Sequence, residues 1–284
     1  MGPQESAWGR AVRQLKAQPR LGNLVRDAYY DDVPIEAADR YWRSDEWRAI
    51  REWLPPGAAG QALDVGAGRG IASFALAKEG YSVTALEPDT DALVGTGAIR
   101  ELVRTSGLPI DVREEFSERL PFDDERFDVV FARAVLHHAA DLPAACREFF
   151  RVLKPGGRLI AVREHVISRI KDLPAFLDSH PLHRFYGGEN ALLLSQYRDA
   201  LVQAGFHMDR VLKPMESSIN LYPYTVRSFQ QALAQRAGRG IPGARMLLQL
   251  GLCIPGAWTL ARALLGRFDH RPGRLYSFIA TRPA

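Results

Sequence analysis

The 284-residue sequence predicts an α/β fold in which a mostly parallel β-sheet carries helices on both faces. Two features predict this class. From residue 61 onward, short apolar runs alternate with segments of helical length, a pattern typical of βαβ units. The first apolar run also ends in a glycine-rich stretch, as a sharp strand-to-helix turn requires. A composition of 46% hydrophobic and 25% charged residues indicates a globular protein rather than a disordered one.

The segment in front of the sheet, residues 1–56, is expected to form an N-terminal helical cap. Residues 1–30 are polar and show no regular pattern. Pro34 then begins a stretch in which apolar residues recur at helical spacing with charges opposite, and Pro55 and Pro56 end it.

The core, residues 57–213, contains the alternating pattern. Its predicted strands are 62–65, 82–87, 110–113, 127–131, 158–163 and 207–212. Its predicted helices are 70–79, 89–105, 143–153 and 191–204. Residues 273–284 supply the final strand of the core, at 274–281.

A helical insertion, residues 214–272, interrupts this pattern. Residues 246–261 are sixteen residues without a charge, which is too short to span a bilayer. Residues 221–284 carry nine arginines and one acid, a net charge of +8, against −4 for the rest of the chain. Two interpretations stay open: a lid over the substrate pocket, or a basic apolar surface for peripheral membrane contact. The charge also suggests an anionic or lipid-linked acceptor.

The cysteine content and the N-terminal sequence indicate the cellular compartment that we expect for the protein. Cys146 and Cys253 cannot form a disulfide framework and are too few for a zinc site, so no metal is expected. The first ten residues lack the apolar core of a secretory signal. We therefore expect a cytoplasmic protein, or one peripheral to the inner face of a membrane.

The glycine-rich stretch LDVGAGRG at 63–70 carries the strongest chemical signal. Its glycines let the backbone turn and approach a ligand closely, and the helix that follows offers unpaired N–H groups. Glu87 ends the second strand 21 residues after Gly66, where an acid can accept hydrogen bonds from both ribose hydroxyls. A nicotinamide-binding fingerprint would need glycine where Ile71 stands, which disfavours a dehydrogenase.

Residues 61–165 resemble the class I S-adenosylmethionine (SAM) dependent methyltransferases, in particular the group that methylates small molecules. The motifs that carry this resemblance, in chain order, are LDVGAGRG at 63–70, Glu87 with Pro88, SERLPF at 117–122, FDVV at 127–130, VLHH at 135–138 and RVLKPGG at 151–157. The resemblance implies a Rossmann-like seven-stranded sheet in the order 3-2-1-4-5-7-6, with SAM as the cofactor.

The resemblance also implies roles for individual residues. The methionine portion of SAM is expected at Asp64, Gly66, Gly68 and Gly70, and its ribose at Glu87 beside Pro88. Phe116 and Ser117 would border the adenine, although Phe116 stands where the family often has an acid or small polar residue. Arg133 would lie beside the sulfonium, and Tyr29 or Tyr30 would close the cofactor from the N-terminal side.

A hydroxyl acceptor needs a base, because its pKa lies far above 7. The histidines His137, His138, His165 and His183 are available, and we predict His138, His165 and His183 as the catalytic candidates. His138 is the best placed, since the loop after the fourth strand faces the ligand edge of such a sheet.

The expected reaction is methyl transfer to a small molecule, at an oxygen of a sugar, a glycan precursor or a secondary metabolite. Family members that methylate nucleic-acid amino groups usually carry Asn/Asp-Pro-Pro-Tyr after the fourth strand, whereas residues 132–135 read ARAV, so no nucleic-acid partner is expected. The alternative is a methyltransferase-like subunit that binds SAM without catalysis.

Overall fold

The computed structural model describes residues 5–30, 33–55, 60–180, 182–221, 224–239 and 243–284. The strands are β1 (Gln61–Val65), β2 (Ser82–Leu86), β3 (Ile110–Arg113), β4 (Phe127–Arg133), β5 (Leu153–Ile167), β6 (Leu192–Leu193), β7 (His207–Leu212) and β8 (Arg274–Thr281). The helices of the first half are α1 (Ala7–Lys16), α2 (Gly22–Asp27), α3 (Pro34–Trp42), α4 (Asp45–Arg51), α5 (Ile71–Lys78), α6 (Thr96–Ser106) and α7 (Leu142–Val152). Those of the second half are α8 (Leu173–Ser179), α9 (His183–Tyr186), α10 (Leu194–Gln203), α11 (Val226–Ala237), α12 (Ala244–Leu252) and α13 (Pro255–Phe268).

The strands form one sheet in the order β3-β2-β1-β4-β5-β8-β7. The first five strands in this order, β3, β2, β1, β4 and β5, pair in parallel. Strand β8 runs antiparallel to both of its neighbours. The order matches the prediction once the two-residue strand β6, which pairs in parallel with the far end of β5, is set aside. The mixed α/β class with helices on both faces is confirmed.

Alternating side chains of the strands fill two cores. Leu63 and Val65 of β1 belong to the core on one face, which α7 and α10 cover. Ala62 of the same strand belongs to the core on the other face, which includes residues of α4 and α5. This alternation is the period of two that a strand buried on both faces must show.

Three predicted elements have different bounds. The helix expected at 89–105 begins at Thr96, because Asp89 and Asp91 accept backbone N–H groups at 2.8 and 2.7 Å and hold the preceding residues in turns. Strand β5 is longer than expected because β6 and β8 extend its pairing. Residues 1–30, which show no clear pattern in sequence, contain α1 and α2.

The N-terminal helices are held on the sheet by specific contacts. Ser6 caps α1 by accepting the N–H of Gly9 at 2.9 Å. Arg13 donates to the fully buried carboxylate of Asp91 at 2.8 Å, in the loop after β2. A side chain at Gly9 would lie 2.0 Å from Asp91, so glycine allows α1 to approach this loop. Helix α1 is therefore fixed over the edge of the sheet where β2 ends.

No single helix among the described residues is long and apolar enough to cross a membrane. Helices α12 and α13 reach the required length and composition only as a pair, and they meet at an angle of 99°.

Candidate active site

A cavity of about 520 Å³ lies at the carboxyl ends of β1, β2, β4 and β5. Ligands bind at this edge of open α/β sheets, because the loops that follow the strands diverge there. One part of the cavity is lined by the glycine-rich loop and Glu87, and another by histidines and Glu189. We call these the cofactor half and the acceptor half.

The glycine-rich loop needs glycine at each of its three predicted positions. Gly66, Gly68 and Gly70 have φ angles of +60°, +57° and +78°, in the left-handed region. A Cβ at Gly66 would also lie 2.6 Å from the side chain of Val135. The loop therefore passes close to the residues after β4, at the centre of the cavity.

Glu87 lies beneath this loop, and its carboxylate accepts the N–H of Gly68 at 2.7 Å and that of Asp89 at 2.9 Å. Burial raises its pKa to about 7, and the two backbone hydrogen bonds oppose that shift. The side chain lines the cavity. A carboxylate in this position fits the expected ribose contact.

Trp8 and Tyr30 cover the cofactor half from the N-terminal side. The indole N–H of Trp8 donates to the hydroxyl of Tyr30 at 3.1 Å, and the rings pack edge to face at 6.2 Å. The ring of Trp8 lies 3.6 Å from where a Cβ of Gly68 would be. Both side chains line the cavity. Tyr30 was expected here, whereas the polar N-terminal sequence gave no signal for Trp8.

Arg133 lines the cavity as expected, and its charge is paired with a buried acid of the N-terminal helices. Glu46 of α4 accepts its Nε at 2.7 Å and also lies 3.3 Å from Nη1 of Arg163. Burial alone would raise the pKa of Glu46, but the two arginines lower it, so the group is a carboxylate. This buried group brings the N-terminal cap, β4 and β5 together. Glu46 neutralises one of the two arginine charges, which reduces the repulsion that a cationic sulfonium would meet nearby.

Backbone strain also concentrates at the cavity. Tyr29, Ala134 and Arg163 have φ angles of +60°, +57° and +63°, and all three line it. Non-glycine residues adopt this region at a cost of roughly 1–3 kcal/mol, and such residues cluster at functional sites.

The acceptor half is organised by Glu164, a fully buried residue of β5. Its carboxylate accepts the backbone N–H groups of Val135 and His137, both at 3.1 Å, and lies 2.6 Å from Nδ1 of His137. Burial alone would lower the pKa of His137, but Glu164 and then Glu189 raise it to about 9. The loop after β4 is thereby fixed on β5.

Two further histidines of this half, His138 and His165, are each oriented by a carbonyl. Nδ1 of His138 lies 3.1 Å from the carbonyl oxygen of Gly188, and Nδ1 of His165 lies 3.1 Å from that of Gly273. A carbonyl only accepts, so each Nδ1 carries a proton and each Nε2 has a lone pair. Burial, with the nearby charge of His137, lowers the pKa of both rings. Both rings are therefore neutral near pH 7.

Glu189 is the carboxylate that faces these rings. Its Oε2 lies 3.7 Å from Nε2 of His137 and 3.8 Å from Nε2 of His138. Its Oε1 accepts the hydroxyl of Tyr186 at 2.7 Å and lies 3.8 Å from Nδ1 of His180. Burial alone would raise its pKa, but the histidines lower it well below the usual value. The sequence analysis assigned no role to this acid.

Most predicted site residues line this one cavity: Tyr30, Gly66, Gly68, Glu87, Pro88, Phe116, Ser117, Arg133, His138 and His165. Asp64, Gly70 and His183 do not line it. Asp64 instead accepts the hydroxyl of Ser73 at 2.5 Å, which ties β1 to α5 beneath the glycine-rich loop. The cavity residues that we did not predict include Trp8, His180, Tyr186 and Glu189.

The lid interpretation of the insertion is not supported. No described residue of 214–272 lines the cavity. The N-terminal helices cover it instead, together with His180, Leu182, Tyr186, Glu189 and Leu275.

Comparisons with known proteins agree with this geometry. A family model described as a methyltransferase domain matches residues 63–161. A demethylmenaquinone methyltransferase of Mycolicibacterium paratuberculosis is 30% identical over 213 residues, which cover 73% of this chain and 76% of that protein. A demethylmenaquinone methyltransferase of Mycolicibacterium gilvum is 29% identical and covers 70% of this chain and 73% of its own length.

Solved structures share the fold at lower identity. The geranyl diphosphate C-methyltransferase of Streptomyces coelicolor A3(2), in complex with Mg²⁺, geranyl-S-thiolodiphosphate and S-adenosyl-L-homocysteine, has a TM-score of 0.56 and 16% identity, and the match covers 84% of this chain and 74% of that one. A SAM-dependent methyltransferase of Mesorhizobium loti has a TM-score of 0.54 and 17% identity, with 85% and 100% covered.

Proposed function

Because the chain belongs to the class I SAM-dependent methyltransferases and uses SAM as its methyl donor, we propose that it methylates a small acceptor with a flat apolar body and an ionisable hydroxyl, such as a quinol. The relatives named for demethylmenaquinone support this acceptor class. Transfer to a small molecule is the broader function.

The observation that carries the proposal is that one cavity contains both halves of the site. Glu87 and Arg133 line it on the cofactor side, and His138 and His165 line it on the acceptor side. Methyl transfer requires the nucleophile in line with the methyl–sulfur bond, and positioning with exclusion of water supplies most of the catalysis. A shared cavity of about 520 Å³ is large enough for such an encounter.

The lining of the acceptor half favours an aromatic ring over a sugar. Val135, Leu182 and Leu275 supply apolar surface, while the polar groups gather in the histidine cluster. A sugar has hydroxyls all around its ring, and each buried hydroxyl needs a hydrogen-bond partner. A quinol needs partners only for its hydroxyl groups.

His138 is the proposed base. It is neutral near pH 7, and its Nε2 has the lone pair needed to accept a hydroxyl proton. The resulting aryloxide is nucleophilic at oxygen and at the neighbouring ring carbon. We propose that this ring carbon receives the methyl group. The second candidate for the methylated atom is the hydroxyl oxygen, which the sequence analysis expected. Deprotonation by His138 would activate this oxygen as well.

The test is turnover of SAM with three acceptors: a short-chain demethylmenaquinol, a simple phenol and a free sugar. We expect one added methyl group on the quinol by mass spectrometry, and NMR of the product assigns it to carbon or oxygen. Turnover of the sugar alone would contradict the proposal. SAM binding by calorimetry without turnover of any acceptor would favour the non-catalytic alternative.

The role of His138 has its own test. His138→Ala should lower kcat by roughly 10²–10⁴ while the Kd for SAM stays near wild type, because the ring acts on the acceptor. His207→Ala, on the exposed face of β7, is the matched control. A His138→Ala protein with wild-type turnover removes it as the base.

A further inference from the structure

The acceptor half contains a cluster that the methyltransferase reaction does not by itself require. His137, His165 and Glu189 each offer one ligand atom, and these atoms lie within 4.8 Å of one another. We propose that these three side chains form a binding site for a divalent transition-metal ion, with Zn²⁺ as the probe ion. Two histidines and one glutamate are a ligand set that zinc and iron(II) centres use.

The orientation of the two rings is the first argument. Nδ1 of His137 donates to the buried carboxylate of Glu164 at 2.6 Å, and Nδ1 of His165 donates to the carbonyl of Gly273 at 3.1 Å. Histidines that bind metals almost always donate their other ring N–H to a carboxylate or a backbone carbonyl. These contacts fix both rings with Nε2 as the remaining ligand atom.

The geometry is close to that of an occupied site. Nε2 of His137 lies 3.7 Å from Oε2 of Glu189. Ligand atoms bound to one Zn²⁺ at about 2.0–2.1 Å lie about 3.4 Å apart in a tetrahedral site. The widest separation in the cluster, 4.8 Å, therefore needs side-chain shifts of about 1 Å.

Charge provides the second argument. Glu164 is fully buried and the side chain of Glu189 is 6% exposed, so two carboxylates lie around His137 with little solvent. Buried carboxylates need a cationic partner or a metal ion. A divalent cation with neutral His137 would balance both charges, whereas a proton on His137 balances one.

A third observation comes from His180. Its Nδ1 is buried and makes no hydrogen bond among the described residues, and it lies 3.8 Å from Oε1 of Glu189. The unpaired nitrogen is therefore available beside the ion to accept a hydrogen bond from a hydroxyl bound there.

The role of the ion rests on the proposed function, while its binding does not. Three protein ligands leave a coordination position open in the cavity, where an acceptor oxygen would bind. A bound ion would lower the pKa of that hydroxyl, whose proton would pass to His138. The S–CH₃ bond then breaks as the bond to the nucleophilic atom forms, and S-adenosylhomocysteine is released. In C-methylation, the ring proton is lost to solvent afterwards.

The experiment uses full-length protein without a histidine tag. The protein is stripped with a chelator and dialysed against Zn²⁺, and bound metal is measured by mass spectrometry. In parallel, Co²⁺ is added and its visible d–d spectrum is recorded. We expect one ion per wild-type chain, and an at least tenfold weaker Kd in His165→Ala and in Glu189→Gln. The control is His207→Ala, which should bind like wild type.

S-adenosylhomocysteine binding shows whether each variant is folded. Wild-type protein that binds S-adenosylhomocysteine but takes up neither Zn²⁺ nor Co²⁺ overturns the proposal, and leaves His137 as a protonated bridge between the two glutamates. Metal binding that is unchanged in both variants also overturns it. Because no acceptor is present, these results are independent of whether the quinol is methylated.

Discussion

The two helical segments that flank the core differ in what their apolar residues do. In the N-terminal segment, Val12, Leu15, Tyr41 and Trp47 are fully buried. In α12, α13 and the turn between them, the large apolar side chains that are exposed are Met246, Leu247, Leu248, Leu250, Ile254, Leu260, Leu264 and Phe268. The N-terminal helices cover the cavity, whereas no described residue of α11 to α13 lines it.

This contrast teaches that an apolar helical stripe does not reveal what it packs against. The sequence predicts helices in both segments. Only one of them has the glycine and the ion pair, at Gly9 and Arg13, that let it approach the sheet. The other packs mainly on its own small cluster around Met215, Leu221 and Trp258. Such exposed apolar surface usually marks an interaction site.

The largest expected effect lies in the N-terminal segment. Glu46→Ala would leave Arg133 and Arg163 without their shared carboxylate in the interior. Removing one partner of a buried ion pair costs about 3–5 kcal/mol, and we expect a corresponding loss in the free energy of unfolding by urea titration. Asp45→Ala, which removes a surface ion pair with Arg48 on the same helix, should change stability by less than about 1 kcal/mol. Equal effects of the two variants would mean that Glu46 does not hold the cap on the core.

The second prediction separates the two segments by cofactor binding. Trp8→Ala removes the ring that lies over Gly68 and the hydrogen bond to Tyr30. The loss of this apolar cover should cost about 2 kcal/mol, or roughly thirtyfold in the Kd for SAM by calorimetry. Phe268→Ala, which also removes an aromatic ring, at the end of α13, should leave the Kd unchanged. If Phe268→Ala weakened SAM binding and Trp8→Ala did not, the insertion rather than the N-terminal segment would cover the cofactor.

The core of the site was predictable because its parts are local in sequence. The glycines at 66, 68 and 70 and the acid at 87 stand at fixed distances from strand ends, and backbone geometry dictates those residue types. Glu46 and Trp8 carry no such signal. Glu46 reaches the site by pairing with Arg133, which is 87 residues away in the sequence. Trp8 reaches it because its ring lies over Gly68. One sequence shows the pattern of a helix but not its docking partner.

The acceptor half shows a similar limit. The sequence predicted His138, His165 and His183 as candidate bases, and the cysteine count gave the expectation of no metal. The glutamates of this half, Glu164 and Glu189, come from β5 and from the loop before β6, and both lie against His137. Histidine–carboxylate clusters assembled from separate loops leave no spacing motif, so only the fold brings them together.

The third prediction concerns pH and tests the buried cofactor half. The pKa of Glu87 is raised to about 7, so the group is protonated at lower pH and can then accept fewer hydrogen bonds from ribose. The Kd for SAM should rise as pH falls, by about tenfold between pH 8 and pH 6. Glu87→Gln should bind more weakly than wild type at pH 8 and lose this dependence. A wild-type Kd that is constant over this range would show that the carboxylate does not titrate there.

The smallest expected effect belongs to the insertion, and it decides what the exposed helices contact. We propose that α12 and α13 form a basic apolar surface that touches a membrane, which would give access to a lipid-linked quinol. Apolar side chains that enter the headgroup region contribute to binding, and the arginines around them add attraction to anionic lipid. The protein should therefore sediment with anionic vesicles more than with neutral ones, and added salt should release part of it, because only the charge contribution is screened. The double variant Met246→Ser and Leu247→Ser, at side chains 66% and 68% exposed, should lose about 1 kcal/mol, or roughly fivefold in partition. The matched control is Val202→Ser, a residue 57% exposed on α10, which should partition like wild type. Equal and negligible binding to both vesicle types would reject the membrane surface and leave another protein as the partner of these helices.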